Sequence, residues 1–128
     1  MKALLDTNFL MIPVEFRVDI ISGLMSLGYI EIFTLDLVVA ELEKFSVKGG
    51  KIAKAARVAL QIVRNSGVVV LQTKGDLKRV DDEILRLAKT KGYAVCTQDQ
   101  ELLQTAKAAG IRCITLHQKR YLVETGDY

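Results

Sequence analysis

Short apolar runs alternate with helix-like stretches along this chain, and that order constrains its fold more than any other feature of the sequence. Val68-Val69-Val70-Leu71 is a continuous, mostly β-branched run, as is typical of a parallel strand buried on both faces. The other predicted strands span residues 3–5, 29–34, 93–97 and 111–116. Strands separated by helices predict an α/β fold, with a mostly parallel sheet of about five strands, helices on both sides and right-handed crossovers.

The helices are predicted from apolar residues at helical spacing and from residues that begin or end helices. Pro13 fits the first turn of a helix over residues 14–27, and Asp36 can cap the next helix, over residues 37–45. After a turn at residues 46–51, the spacing predicts a helix of about 15 residues that buries Ile52. The last two helices are predicted over residues 81–91 and 100–109, and residues 121–128 are expected to fray.

Length and composition predict one folded domain over residues 1–128. Half of the residues are hydrophobic and only one is Pro, which favours a compact fold over disorder. The apolar runs are too short for a membrane span, and the first residues lack the long apolar region of a signal peptide. We therefore expect a cytosolic protein in which both cysteines, Cys96 and Cys113, are thiols of the core.

Four acidic residues lie at the ends of predicted strands or on predicted helices. Asp6 and Asp99 follow predicted strands, whereas Glu41 and Asp81 lie on predicted helices. Ligands of open α/β sheets bind beyond the carboxyl ends of the strands. Carboxylates that converge there repel each other unless a cation joins them, and hard oxygen ligands suit Mg²⁺ or Mn²⁺. The sequence therefore predicts a metal-dependent site, most plausibly for phosphodiester chemistry.

Two of these acids follow predicted strands, and each has an alternative structural role. Asp6 could be a turn or helix-cap residue, or a metal ligand supported by Thr7 or Asn8. Asp99 could cap the helix that follows it, and Glu101 lies two residues further on, within reach of a second metal ion.

The other two acids lie on helices beside a second acid. Glu41 and Glu43 have similar neighbours, so the helical pattern does not separate them. Asp81 points toward the predicted core face, whereas Asp82 is rotated by about 100°. Both aspartates could also simply complement the positive end of the helix dipole.

The basic residues suggest an anionic partner. The net charge is +3, from 18 basic and 15 acidic residues. If four of the acids hold metal, only 11 acidic residues remain to balance the 18 basic ones. The loop residues Lys74, Lys78 and Arg79 directly precede Asp81 and are the favoured phosphate contacts. A second basic set is also a candidate for phosphate contacts, although a solvated helix face is the favoured interpretation; it comprises Lys44, Lys48, Lys51, Lys54 and Arg57. With no Trp and few other aromatic residues, base stacking is expected to be minor.

Three segments of the chain resemble the PIN domain family, which includes the VapC-type toxin ribonucleases. They are the opening Leu4-Leu5-Asp6-Thr7-Asn8-Phe9-Leu10, the helix with Val38-Val39-Ala40-Glu41-Leu42, and the stretch from Asp81 to Asp99. The opening and the tail Lys119-Arg120-Tyr121 also resemble archaeal relatives of the nucleases that process small-subunit ribosomal RNA. The resemblance covers essentially the whole chain.

The resemblance implies a three-layer α/β/α fold and a Mg²⁺- or Mn²⁺-dependent endoribonuclease. Its implied catalytic metal ligands are Asp6, Glu41, Asp81 and Asp99, with Asp82 as an alternative to Asp81 and Glu101 as an accessory acid. The implied supporting residues are Thr7, Asn8 and Thr97. The implied partners are an RNA substrate, a cognate antitoxin and a second copy of the chain in a homodimer.

Other functions fit the sequence less well. Gly49-Gly50-Lys51 is only part of a phosphate-binding loop, and a phosphoaspartyl enzyme built on Asp6 would need a lysine beside the phosphoryl group. His117 is the only histidine, which argues against a histidine-based ribonuclease. A catalytically silent RNA- or protein-binding module would be expected to lack one of the four acids. The sequence leaves open whether an active nuclease would be a toxin or would process ribosomal RNA.

Overall fold

The described residues form a single six-stranded sheet flanked by helices. The computed structural model describes residues 1–73 and 79–125. The strands are β1 (Lys2–Leu5), β2 (Glu31–Leu35), β3 (Val69–Leu71), β4 (Ala94–Cys96), β5 (Cys113–His117) and β6 (Tyr121–Thr125). Their order across the sheet is β3-β2-β1-β4-β5-β6, and all neighbours are parallel except β5 and β6. The predicted mostly parallel α/β architecture is confirmed.

The strand order places β1 at the centre and creates a switch point beside it. From β1 the chain moves outward to β2 and β3, and it then returns to the other side of β1 to form β4 and β5. The connections on the two sides therefore diverge between β1 and β4, and such a divergence opens a crevice at the carboxyl ends of the strands. Leu4 and Leu5 of β1 are fully buried in the core beneath that crevice.

Seven helices are described in these two ranges. They are α1 (Thr7–Leu10), α2 (Ile12–Phe16), α3 (Ile20–Ser26), α4 (Asp36–Ser46), α5 (Gly50–Asn65), α6 (Val80–Lys91) and α7 (Gln100–Ala108). The prediction of one long helix over residues 14–27 is wrong, because the helix is interrupted between α2 and α3. Arg17 adopts a left-handed conformation with φ of 56°, and Asp19 then caps α3 by accepting a hydrogen bond from the Ser22 N–H.

Two further expectations for buried residues are wrong. The strand predicted over residues 68–71 lies at the edge of the sheet as β3, where Val69 is half exposed. A β-branched run favours a strand but does not determine how many strands flank it. Ile52 was expected on the buried face of α5 but is also half exposed, whereas Ala53 and Ala56 are fully buried.

Residues 121–125 form strand β6, contrary to the fraying expected for residues 121–128, and residues 126–128 lie outside the described residues. β6 pairs antiparallel with β5 across a turn in which Gln118 and Lys119 both have positive φ. Leu122 of β6 is buried against α3, where Gly23 leaves room for it, since a Cβ on Gly23 would lie 2.8 Å from a Leu122 methyl carbon. This packing depends on residues 99 positions apart, Gly23 and Leu122, which local patterns do not show.

Two smaller observations complete the fold. None of the helices in residues 1–73 and 79–125 is long and apolar enough to cross a membrane. Cys96 in β4 and Cys113 in β5 are fully buried free thiols, as expected from the sequence.

Truncation of Leu122 tests whether β6 belongs to the core. We expect Leu122→Ala to lower the free energy of unfolding by about 2–4 kcal/mol, because it leaves a cavity between α3 and β6. Urea unfolding followed by circular dichroism would measure this change. Val47→Ala is a suitable control, since Val47 is 85% exposed. A loss no greater for Leu122→Ala than for this control would show that β6 contributes little to stability.

Candidate active site

Four carboxylates from four separate places in the chain line one cavity at the carboxyl ends of β1 and β4. The cavity has a volume of about 420 Å³. It is lined by Asp6, Thr7, Asn8, Glu41, Phe45, Arg79, Val80, Asp81 and Asp99. The convergence of Asp6, Glu41, Asp81 and Asp99 that the sequence predicts is therefore the geometry that the structure shows.

Asp6 is held from both its backbone and its side chain. Its N–H donates to the Cys96 carbonyl at 3.1 Å, which extends the pairing of β1 with β4. The preceding carbonyl, of Leu5, accepts a hydrogen bond from the Thr34 hydroxyl at 2.7 Å. The Asp6 Oδ1 atom accepts from the Phe9 N–H at 2.8 Å and so caps α1. Asp6 is therefore both a helix cap and a buried acid at the cavity.

Thr97 connects the two strand-end aspartates. Its hydroxyl donates to Oδ2 of Asp6 and accepts from the Asp99 N–H, the latter at 3.0 Å. Thr97 itself is fully buried, and its N–H donates to the Ile114 carbonyl of β5 at 3.1 Å. One hydroxyl thus fixes the orientation of the Asp6 carboxylate relative to the backbone at Asp99.

Asp99 is positioned by the helix that it caps. Its Oδ1 atom accepts hydrogen bonds from the N–H groups of Glu101 and Leu102, at 2.9 and 3.3 Å. The neighbouring Gln98 holds the same segment against β5, because its Oε1 atom accepts from the Thr115 hydroxyl at 2.6 Å and the Leu116 N–H at 2.7 Å. No local sequence pattern indicates this role for Gln98, since its partners lie 17 and 18 residues further along the chain.

The carboxylates influence one another's protonation. Burial raises the pKa of Asp6 from 3.8 to about 7, against the lowering effect of its hydrogen bonds from Thr97 and Phe9. The charges of Asp81 and Asp99 raise the Asp6 pKa further. Burial also raises the pKa of Asp81, with Asp99 as the next contribution, while Arg79 opposes the rise. The cavity therefore concentrates negative charge that a cation would neutralise.

The donor set fits Mg²⁺ or Mn²⁺, which prefer hard oxygen ligands. Within the described ranges, no three Asp, Glu, His or Cys side chains lie close enough together to hold one ion. This spacing is compatible with Mg²⁺, which typically takes one or two carboxylates and completes its shell with water and substrate phosphate. Thr7 adds a further oxygen at the cavity, because its buried hydroxyl has no hydrogen-bond partner among the described residues.

The structure shows which acid of two neighbouring pairs lines the cavity, a choice that the sequence did not settle. Asp81 lines the cavity, whereas the Asp82 side chain is 71% exposed and lies 3.9 Å from Arg79. Glu41 is half-buried at the cavity, whereas Glu43 is exposed on the same helix. Glu101, predicted as an accessory acid, is exposed and is not among the described residues that line the cavity.

Several other residues lie at the site or just outside the described ranges. Thr7 and Asn8 line the cavity, and so does Arg79 from the predicted phosphate-binding loop. Lys74 and Lys78 of that loop lie outside the described residues. Phe45 and Val80 also line the cavity but were not predicted from the sequence. Their apolar side chains follow the core pattern of α4 and α6, so no sequence signal distinguishes them from core residues.

Part of the basic set assigned to a solvated helix face lies beside the site. Lys44 and Lys48 border a cavity that shares Glu41, Phe45 and Val80 with the carboxylate cavity. Lys51 borders a third cavity, which shares Asn8 and Phe45 with it. The guanidinium of Arg57 instead donates to the Ser46 carbonyl at 3.0 Å and secures the turn before α5. The structure therefore surrounds the carboxylates with cations from two directions.

Glu83 is a buried acid that the sequence analysis missed. It is only 3% exposed on α6, and Arg86 holds it through two hydrogen bonds, one of them 3.1 Å long from Nε. Its role is structural, because its charge is paired within the same helix turn and it does not line the carboxylate cavity.

Comparison with known proteins identifies the family of this chain. Residues 3–119 match the family described as PIN like domain. The chain belongs to the PIN-like domain family. The family predicted from the sequence is therefore confirmed, and nucleases of this family generally depend on divalent metal ions.

The relatives of this PIN domain include a ribonuclease, an rRNA-processing protein and a PIN domain endonuclease. It is 32% identical to Ribonuclease VapC9 of Archaeoglobus fulgidus over 127 residues, covering 98% of this chain and 90% of that protein. It is 31% identical to the rRNA-processing protein FCF1 of Saccharomyces cerevisiae, covering 96% of this chain but only 64% of that protein. The solved PIN domain endonuclease Utp24 superposes with a TM-score of 0.75 at 28% identity, covering 94% of this chain and 90% of that one. These relatives support the predicted class of enzyme, a nuclease.

Substitution of Thr97 tests whether its hydroxyl positions the acids of the carboxylate cavity for a metal ion. Thr97→Val keeps the shape of the side chain but removes both hydrogen bonds, and we expect a roughly 10- to 100-fold loss of Mn²⁺ affinity in titration calorimetry. Thr97→Ser keeps the hydroxyl and is expected to retain near-normal affinity. Equal losses in both variants would indicate that packing of the Thr97 methyl group, rather than its hydroxyl, is what matters.

The raised pKa of Asp6 predicts how stability depends on pH when no metal is bound. Because the folded protein holds the Asp6 proton more tightly than the unfolded chain, this contribution is fully present below about pH 4 and is lost as pH rises through about 7. The rise from 3.8 to about 7 corresponds to about 4 kcal/mol as an upper value.

Urea unfolding in EDTA at pH 5 and pH 8 would measure this dependence. We expect the wild-type protein to lose more stability between these pH values than Asp6→Asn, whose neutral amide can still accept from the Phe9 N–H. Addition of Mg²⁺ at pH 8 should restore stability to the wild type but not to the variant. Identical pH dependence in the two proteins would contradict the prediction.

Proposed function

We propose that residues 1–128 form one PIN-like nuclease domain that cleaves RNA internally, using Mg²⁺ or Mn²⁺ to hydrolyse phosphodiester bonds. The observation that carries this proposal is the convergence of Asp6, Glu41, Asp81 and Asp99 on one cavity at the switch point of the sheet. The ribonuclease and endonuclease relatives support the same reaction.

Asp6, Glu41, Asp81 and Asp99 would share the metal site, with one or two of these carboxylates bound to the ion directly and the others bound through water. A bound divalent ion lowers the pKa of a coordinated water, so that hydroxide is available near neutral pH, and stabilises negative charge on the phosphate. Asp6 and Asp99 are oriented before any ligand arrives, because backbone N–H groups and Thr97 already fix their oxygens. Asp82 and Glu101, which were also predicted as metal ligands, are exposed, so we propose no direct role for them in the cavity.

The cations around the cavity would hold the RNA backbone on either side of the cleaved bond. Arg79 lines the cavity itself and also lowers the pKa of Asp81 by its positive charge. Lys44, Lys48 and Lys51 border the adjoining cavities. Lys74 and Lys78 remain predicted phosphate contacts. These cations would bind the phosphates of the RNA, while the carboxylates of the cavity bind the metal.

Two cellular roles fit an endoribonuclease of this kind. We propose the toxin component of a toxin–antitoxin pair, acting in the cytoplasm as a homodimer and blocked by a cognate antitoxin protein. The match to VapC9 supports this role, since it covers 90% of that ribonuclease. Processing of ribosomal RNA is the second candidate, favoured by the 31% identity to the rRNA-processing protein FCF1.

A matched pair of aspartate variants tests the metal-dependent mechanism. We expect the wild type to cut single-stranded or structured RNA with Mn²⁺ or Mg²⁺, to stop in EDTA, and to leave 5′-phosphate and 3′-hydroxyl ends. Asp81→Asn should lower kcat/KM by roughly 100-fold or more, because it removes a metal ligand. Asp82→Asn, which changes the adjacent exposed residue, should retain activity near that of the wild type.

Several results would contradict this mechanism. Equal losses in Asp81→Asn and Asp82→Asn would overturn the assignment of Asp81 to the cavity. Cleavage that survives EDTA, or products with cyclic phosphate ends, would overturn metal-dependent hydrolysis. A folded wild type that cuts no RNA would instead favour a catalytically silent RNA- or protein-binding PIN module.

Mapping the cut sites in total cellular RNA would distinguish the two roles. Cuts confined to a precursor of ribosomal RNA would support processing and overturn the toxin assignment. Cuts in mature RNAs that the cell needs for translation would support the toxin.

A further inference from the structure

An apolar cavity lies directly beside the carboxylate cavity. Its volume is about 460 Å³. It is lined by Asn8, Met11, Glu15, Phe16, Phe45, Lys51, Ile52 and Ala55, and we call it the Phe16–Phe45 cavity. Asn8 and Phe45 also line the carboxylate cavity, so the two cavities share a wall. A molecule bound in the carboxylate cavity would therefore have this apolar cavity as its immediate neighbour.

The Phe16–Phe45 cavity combines a rigid floor with an exposed apolar mouth. Ala55 and Met11 form part of the floor and are only 1% and 6% exposed, so they are anchored in the core. Phe16 and Phe45 are partly buried and pack against that core. Ile52 stands at the mouth and is 53% exposed. The lining of this cavity therefore packs against the core but leaves apolar surface exposed to solvent.

The described lining of this cavity includes one cation, Lys51, and one carboxylate, Glu15, and a second lysine lies beside its aromatic wall. Lys51 lines its rim, and the ammonium of Lys48 lies 5.2 Å from the centre of the Phe45 ring. The amide of Asn8 and the carboxylate of Glu15 supply hydrogen-bonding groups of the kind that contact base edges. Phosphate next to the aromatic wall would meet lysine, while a planar apolar ring would meet phenylalanine.

We propose that the Phe16–Phe45 cavity binds an unpaired nucleobase of the RNA, next to the phosphate that is cut. This inference rests on the proposed function. Aromatic side chains commonly receive unstacked bases of single-stranded RNA, and such stacking tolerates different bases. The expectation from the low aromatic content was that stacking is minor, but the structure places two of the four phenylalanines beside the site. The enzyme would accordingly cut where at least one base beside the cleaved bond is unpaired.

RNA substrates that lack a single base test this proposal on the wild-type protein. A series of short RNAs with one known cut site would carry an abasic nucleotide at each position flanking the cut. We expect one flanking position to lower kcat/KM by roughly 5- to 100-fold when its base is missing. Positions further from the cut should show little effect. An equal response at all positions would overturn a single base-binding cavity.

Variants of the cavity then link that effect to these residues. We expect Phe16→Leu and Ile52→Ser to cleave intact RNA more slowly than the wild type. They should also lose much of the abasic penalty, which is the loss of kcat/KM when the flanking base is missing, because these variants bind that base weakly even when it is present. Ile30→Ser is the matched control, since Ile30 is 70% exposed at the opposite, amino end of the sheet. It should cleave like the wild type and keep the full abasic penalty. Thermal unfolding would verify that each variant is folded.

The outcomes separate this inference from the proposed function. If the wild type cuts RNA but Phe16→Leu and Ile52→Ser keep the full abasic penalty, the base-binding role is wrong and the cavity would serve another ligand, such as a protein segment. If the wild type cuts no RNA at all, the proposed function fails and this inference fails with it.

Discussion

A buried carboxylate between the two central strands is the constraint on which the rest of the site depends. Asp6 is only 5% exposed, and burial alone would favour its neutral form. The fold supplies a hydroxyl from Thr97 and a backbone N–H from Phe9, so the charged form is partly stabilised before any cation binds. The same hydroxyl organises the segment that leads to Asp99. Strand pairing, helix capping and the proposed metal site are therefore coupled through one side chain.

Much of the site could be predicted because parallel strands end at the same edge of the sheet. That geometry requires residues after β1 and β4 to lie close together, whatever the rest of the sequence is. The rule does not identify every acid correctly, however. Asp36 also follows a strand, β2, yet its carboxylate accepts hydrogen bonds from the Leu37 N–H and from Thr73, and so holds α4 to the loop after β3. An acid at a strand end can thus be structural, and the sequence does not distinguish the two uses.

The features that were missed depend on contacts between distant parts of the chain. β6 is stabilised by its pairing with β5 and by the fit of Leu122 against Gly23, and neither is visible as a local pattern. Gln98 likewise looks like an ordinary loop residue until its partners on β5 are known. Phe45 has the spacing of a core residue and is partly buried, but it also forms a wall of two cavities. Local periodicity predicts which side of a helix is apolar, not which apolar residues stay accessible.

Asp6 and Asp99 each have two functions in this fold, since both cap a helix and both line the cavity. Asparagine caps helices about as well as aspartate, and it differs from aspartate mainly in lacking the negative charge. Folding and the proposed chemistry thus make different demands on the same two positions: the helices require only an oxygen acceptor, whereas the proposed metal binding would require the charge. A lineage that replaced one oxygen by an NH2 group in each side chain would therefore lose the proposed catalysis while keeping both helix caps. PIN domains that only bind RNA or protein could arise by this route.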